Sequence, residues 1–132
     1  MPVDESLVGR TFPPVPAHEV TAESVAAFAA SVGAQPDPVP PTYPIVAAFD
    51  AMNAFLAAEG IELHRIVHGE QRFAYTRPVR VGDTLQVQLE VSSLRQIGGN
   101  DIIGTTSRVT DADDQLVCTA TATLVHRGEA GA

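Results

Sequence analysis

Residues 44–60, PIVAAFDAMNAFLAAEG, constrain the fold more than any other stretch of the chain. Ile45, Val46, Phe49, Met52, Phe55 and Leu56 recur at helical spacing, and alanines fill nearly every other position. Pro44 suits a first helical turn and Gly60 a C-terminal cap, so the pattern predicts a helix over residues 44–59. Only Asp50 and Asn53, neighbours on one face, interrupt the apolar surface. A helix with no broad charged face is buried on all sides, so the rest of the chain has to wrap around it.

The sequence supplies a sheet for that purpose. From Ile66 the period switches to two, and residues 66–77, 83–95, 101–111 and 115–127 are rich in Val, Thr and Ile. GGND (residues 98–101) and DADDQ (111–115) read as hairpin turns. PVRVGD (78–83) reads as a loop, because proline cannot donate to a ladder. The four strands together read as an antiparallel meander.

Ahead of the central helix, HEVT is a short extended segment. Thr21 is the N-cap of a first helix that carries Val25, Phe28, Ala29 and Val32 at helical spacing and ends at Gly33. A stiff bridge over residues 34–43 joins the two helices. The stretch SVGAQPDPVPPTYP that contains it holds five prolines in fourteen residues.

The 132 residues fit one domain, 1–132, with a frayed tail over 127–132. The expected class is α+β: a curved antiparallel sheet wrapped around one apolar helix. Such a sheet leaves an edge that is blunted by pairing with a second copy or a related chain.

Charge and composition narrow the partners. A net charge of −8, with eight arginines and no lysine, opposes binding to nucleic acid or to an anionic lipid surface. No stretch approaches the roughly 20 apolar residues of a membrane span. Acidic residues stand in MPVDESLVGRTF where a signal peptide carries basic ones, so the expected compartment is the cytoplasm. Cys118, the one cysteine, lies in an alternating strand pattern as a small buried thiol. No residues are spaced as a metal-ligand cluster, and neither a metal nor a cofactor is expected.

The order of elements resembles the hot-dog fold of the MaoC-like dehydratase superfamily. VGRTFPPVPAHEVTAESVAAFAASVG, RIVHGEQRFAYTRPVRVGDTLQVQLEV and GGNDIIGTTSRVTDADDQLVCTATATLV are similar to the actinobacterial MaoC-like N-terminal domain family. That family includes the non-catalytic A-type subunits of (3R)-hydroxyacyl-ACP dehydratases. The likeness covers most of the chain except the proline bridge and the helix after it, and RPVRVGDTL marks architecture rather than activity.

Catalytic relatives carry a loop reading roughly G-D-x-N-P-x-H before the central helix. Its Asp and His handle the water and the proton, while a backbone N–H at the helix start polarises the thioester carbonyl. With Gly33 on the motif's glycine, Ala34 falls at the aspartate, Pro36 or its neighbour at the Asn-Pro, and Pro38 near the histidine. The acid/base pair is absent. The bridge is also shorter than in the A-type relatives.

The resemblance therefore implies the acyl-binding, non-catalytic subunit of an (R)-specific enoyl-thioester hydratase or 3-hydroxyacyl-thioester dehydratase. It would bind acyl-CoA or acyl-ACP and dimerise with itself or with a catalytic MaoC-like chain. A self-sufficient homodimeric thioesterase or hydratase and a non-enzymatic acyl-thioester binding module remain as alternatives.

The weak catalytic candidates are Asp37, alone among carboxylates on the bridge; Asp50, which needs a partner or a polar cavity if buried; and His68 with Glu70, placed on one strand face by their spacing. A solvated turn, a cap or interface contact and a polar strand start with an exposed edge are the plainer readings of these three. His18, His64 and His126 have no partner spacing. Tyr43, Ile45, Val46, Phe49, Met52 and Phe55, with Gln71, Phe73 and Tyr75 on one strand face, are the candidate acyl-binding residues. Tyr43 is expected at the tunnel mouth, and the N–H groups of Ile45 and Val46 free at the helix start. Ordinary core is the plainer reading of the aromatics.

Overall fold

The computed structural model describes residues 5–12 and 16–128. Its elements are β1 (His18–Glu19), α1 (Ala22–Val32), α2 (Ile45–Ala58), β2 (Ile66–Tyr75), β3 (Thr84–Ile97), β4 (Asn100–Thr110) and β5 (Leu116–His126). Of the tail expected over 127–132, residues 129–132 lie outside the described residues.

Local chemistry fixes the helix ends. The Thr21 side chain accepts from the Ser24 N–H and the Ser24 hydroxyl accepts from the Thr21 N–H, a reciprocal capping box. Gly33 closes α1 in the left-handed region at φ 71°, where a side chain would be strained. α2 begins after Pro44 and stops before Glu59, within one residue of the span read from its pattern.

The strands form one antiparallel sheet in the order β1-β3-β4-β5-β2. Gly98 and Gly99, both at positive φ, make the two-residue turn between the paired residues Ile97 and Asn100, as a tight hairpin requires. The expected meander holds for β3, β4 and β5 and fails for β2, which pairs with β5 on the far side of the sheet. The link between β2 and β3 has no tight turn to return the chain along its own edge. Instead Arg77 donates to Asp83 (2.8 and 3.2 Å) and to Asp111 (3.0 Å) in the β4–β5 turn, fastening the link across the end of the sheet.

α2 lies against the inner face of the sheet. Met52, Phe55 and Leu56 are buried in one cluster with Leu89, Val91, Ile103 and Leu124, and the Phe12 ring packs 4.9 Å from that of Phe55. Each such large apolar side chain contributes roughly 1.5–3 kcal/mol by its burial. The expectation that α2 is buried all round is corrected. Phe49 is 39 % exposed, and Asp50, Ala57 and Ala58 are exposed, because a single sheet covers only one side of the helix.

The two sheet edges differ. The N-terminal segment runs along β3: Gly9 N–H donates to Val91 O, Phe12 N–H to Leu89 O, and Val20 N–H to Asp83 O. β2, at the other edge, pairs only with β5 among the described residues.

Candidate functional site

The C-terminal end of the bridge between the helices is held by two phenols. The Tyr75 hydroxyl donates to the Pro41 carbonyl. Tyr43 is fully buried, with its hydroxyl 2.6 Å from His18 Nε2 and 2.7 Å from Ser24 Oγ, and the Phe28 ring meets its own edge-to-face. The mouth position expected for Tyr43 is corrected: its phenol points inward to β1 and α1, where two polar partners satisfy it. Burial, with a further contribution from Cys118, raises the Tyr75 pKa to about 12, so this phenol stays a neutral donor.

The start of α2 also differs from expectation. Ile45 N–H donates to Thr42 O (3.0 Å) and Val46 N–H to Tyr43 O (3.1 Å), so residues 42–46 enter the helix through a tightened first turn. The two N–H groups expected to be free at the helix start are both engaged.

His68 and Glu70 do not share a face. The β2–β5 register shifts between them, making Gly69 an extra residue that turns the next side chain over. His68 then meets Gln71, with Nε2 2.9 Å from Oε1, while Glu70 pairs with Arg72 at 2.7 Å. Past the bulge, Gln71, Phe73 and Tyr75 alternate on one face as read, and the last two rings stand 6.4 Å apart.

His68 and Gln71 open onto a cavity beneath the first turns of α2, bordered by Ile45, Phe49 and Met52 and floored by Thr105 and Ser107. The cavity measures ≈ 10 Å³, about enough for one water molecule. Val46 is half-buried against the core. Phe55, expected to line a tunnel, is fully buried against Phe12. Asp50 and Asp37 are exposed and make no hydrogen bond or ion pair with the described residues.

A larger space lies beside the bridge. One groove of ≈ 490 Å³ runs between Pro38–Pro41 and Tyr75–Val79. A second of ≈ 490 Å³, reaching Pro36, Asp37, Arg80 and Val81, shares Pro38, Val39, Pro78 and Val79 with the first.

Spacing did not reveal the pairing of His126 with Asp101. The two sit opposite each other on β5 and β4, buried, with Nδ1 3.2 Å from Oδ2, and Gln96 donates to the other carboxylate oxygen at 2.9 Å. Alternation alone would have shown that both face inward; their register across 25 residues is a product of the hairpin. Among the described residues no group of three or more His, Cys, Asp or Glu is placed to hold a metal ion, and no helix is long and apolar enough to cross a membrane.

Residues 35–120 match the family described as FAS1-like, dehydratase domain region. The chain belongs to this dehydratase-region family. A UPF0336 protein of Saccharopolyspora erythraea is 34% identical, the alignment covering 98% of this chain and 95% of the relative. That alignment spans 148 positions, more than the 132 residues here, so the relative carries residues that this family member lacks.

Solved structures place the fold. The C-terminally truncated HadBC (3R-hydroxyacyl-ACP dehydratase) complex of Mycobacterium tuberculosis superposes at TM-score 0.78 with 24% identity, over 90% of this chain and 96% of the other. The (R)-hydratase from A. caviae involved in PHA biosynthesis superposes at 0.60 with 25% identity, over 96% and 100%. The dehydratase-region chain has the MaoC-like hot-dog fold, with its two helices set on a curled five-stranded sheet.

Proposed function

We propose that this chain is the substrate-holding, non-catalytic half of a heteromeric (R)-specific enoyl-thioester hydratase or 3-hydroxyacyl-thioester dehydratase. A separate MaoC-like chain would supply the Asp and His, and an acyl-CoA or acyl-ACP would be the substrate. The observation that carries this reading is the α1–α2 connection. Residues 34–43 contain no histidine, their one carboxylate, Asp37, has no partner among the described residues, and the N–H groups of Ile45 and Val46 are spent on Thr42 and Tyr43. Hydration of an enoyl thioester needs a positioned acid/base pair and a donor for the carbonyl oxygen, and this loop offers neither.

The β2 edge, unpaired beyond β5 among the described residues, with Val67 exposed on it and Phe49 exposed on α2, supports pairing with another hot-dog chain. The heteromer, the acyl substrate and the cytoplasmic setting are all parts of this proposal.

A self-sufficient enzyme is the second reading, favoured by His68, which lines a cavity with two buried hydroxyl residues. Assay of purified chain with trans-2-enoyl thioesters separates the two. The lone chain is expected to turn over at background rate, with activity appearing on addition of a MaoC-like chain bearing an intact loop, since a positioned acid/base group contributes about 10²–10⁴-fold. Robust turnover by the lone chain, abolished by His68→Ala or Asp50→Asn, would overturn the first reading in favour of the second.

A further inference from the structure

Thr105 and Ser107 stand two residues apart on the inner face of β4, and each is only 4 % exposed. Their neighbours across the sheet are apolar: Val91 and Ala122 beside Thr105, Leu89 and Ala120 beside Ser107. Neither hydroxyl has a hydrogen-bond partner among the described residues, and both oxygens open onto the cavity beneath α2. Two residues of strand separate them by roughly 6.6 Å, too far for a direct O–H···O bond of about 2.8 Å. One oxygen between them can bond both once the side chains lean together. A buried hydroxyl without a partner disfavours the folded state, so a chain that keeps two of them needs something in the space.

The space follows from the sequence. Ala122 stands between Gln71 and Thr105 in one row across the sheet, and Ala120 stands beside Ser107 in the next, so the middle strand does not fill the floor. The extra residue at Gly69 puts His68 and Gln71, three apart, on the same inner face, which a regular strand would deny to one of them. Gln71 Nε2 donates to the Arg72 carbonyl (3.4 Å), so its Oε1 faces His68 and accepts from the Nε2–H at 2.9 Å. The chamber therefore has two hydroxyls on its floor, this imidazole–carboxamide pair at its mouth, and the side chains of Ile45 and Met52 overhead.

Size and chemistry select the occupant. A volume of ≈ 10 Å³ is about one water molecule's requirement, and a buried water takes two to four polar partners. The lining holds no carboxylate, arginine or lysine to balance a charged ligand, and a methyl group would leave both hydroxyls unsatisfied.

We propose that the cavity beneath α2 is a binding site for a single neutral oxygen, filled in the free chain by one water molecule that bridges Thr105 to Ser107 and exchanges past the His68–Gln71 pair. The water makes the sheet floor under the helix a satisfied polar surface at the one place where its side chains supply no partner for each other.

The test uses the full chain alone. Oxygen-17 magnetic relaxation dispersion counts long-lived waters without interference from hydroxyl protons, and wild type is expected to exceed the Thr105→Val/Ser107→Ala double variant by one. Urea unfolding of the same proteins reads the bridge itself. Each single substitution leaves the other hydroxyl stranded and is expected to lower the folded-to-unfolded ratio about five- to tenfold, whereas the double variant should lose no more than the worse single. Equal dispersion amplitudes in wild type and double variant would overturn the site. Single substitutions that each raise the ratio, with gains that add, would also overturn it, because they would mean two hydroxyls that nothing satisfies.

If a variant fails to fold, a crystal structure of the wild-type chain decides: an oxygen within hydrogen-bond distance of both hydroxyls is the expected result, and an empty cavity overturns the proposal. No thioester enters any of these measurements, so their outcome stands apart from the dehydratase reading.

Discussion

The Tyr43 phenol and the His18 imidazole meet at 2.6 Å, joining the end of the proline bridge to the first strand, and Ser24 completes the contact from α1. Loss of this hydroxyl strands two polar partners while leaving the ring packed against Phe28. Tyr43→Phe is therefore expected to cost about 1–2 kcal/mol in urea unfolding, and Tyr43→Ala, which empties a fully buried site, about 3–5 kcal/mol. Equal stability of Tyr43→Phe and wild type would show that the network contributes nothing.

Arg77 makes the β2–β3 link sensitive to acid. At Asp83 burial pushes the carboxyl pKa up, but hydrogen bonds from the Arg77 side chain and the Arg80 N–H, with both positive charges, bring it below the ordinary value. At Asp111 the Gln115 N–H and Arg77 together lower it. Carboxyls depressed in the folded state contribute stability that is present above their unfolded pKa and lost as pH falls through the folded values. Arg77→Gln should have a lower Tm than wild type at pH 7, with the gap closing as the pH drops below the ordinary carboxylate range. A gap constant from pH 7 to pH 3 would exclude this linkage.

Cys118 is buried between β4 and β2, and that burial pushes its pKa to about 11. Since thiolate is the reactive form, a disulfide reagent at pH 8 should label it only at the rate of global or local opening. Prompt stoichiometric labelling of the folded protein would show an accessible thiol.

Assembly should depend on β2. Val67 on that edge and Phe49 on the uncovered side of α2 are 47 % and 39 % exposed in the single chain. Light scattering of the chain, alone or with a related hot-dog chain, should give a particle of two subunits, and Val67→Lys combined with Phe49→Glu should return the monomer. A particle unaffected by both substitutions would place the contact elsewhere.

Local physics explains which features could be read in advance. Alternation of Val, Thr and Ile fixed the strand bodies, Gly98–Gly99 fixed a turn, and the alanine-rich pattern fixed α2 to within a residue. What escaped depends on contacts distant in sequence. The place of β2 beside β5 is a pairing across two intervening strands, and the Asp101–His126 pair follows from a hairpin register. The separation of His68 from Glu70 turns on Gly69, whose backbone takes one place too many in the ladder; an isolated glycine inside a strand pattern was the signal for such a bulge. The inward phenol of Tyr43 needed His18 and Ser24 as partners, 25 and 19 residues away.

The N-terminal segment laid along β3 has a consequence for growth. Thr84, Leu85 and Leu89 to Val91 of that strand already have partners in residues 9–12 and 18–19, and the register shifts at Val91/Ser93. Among the described residues the sheet is thus left with one unpaired edge, at β2. A second chain joining at β2 would terminate both partners, so exposure of that strand would not propagate into a fibre, and a pair would be the end of the reaction.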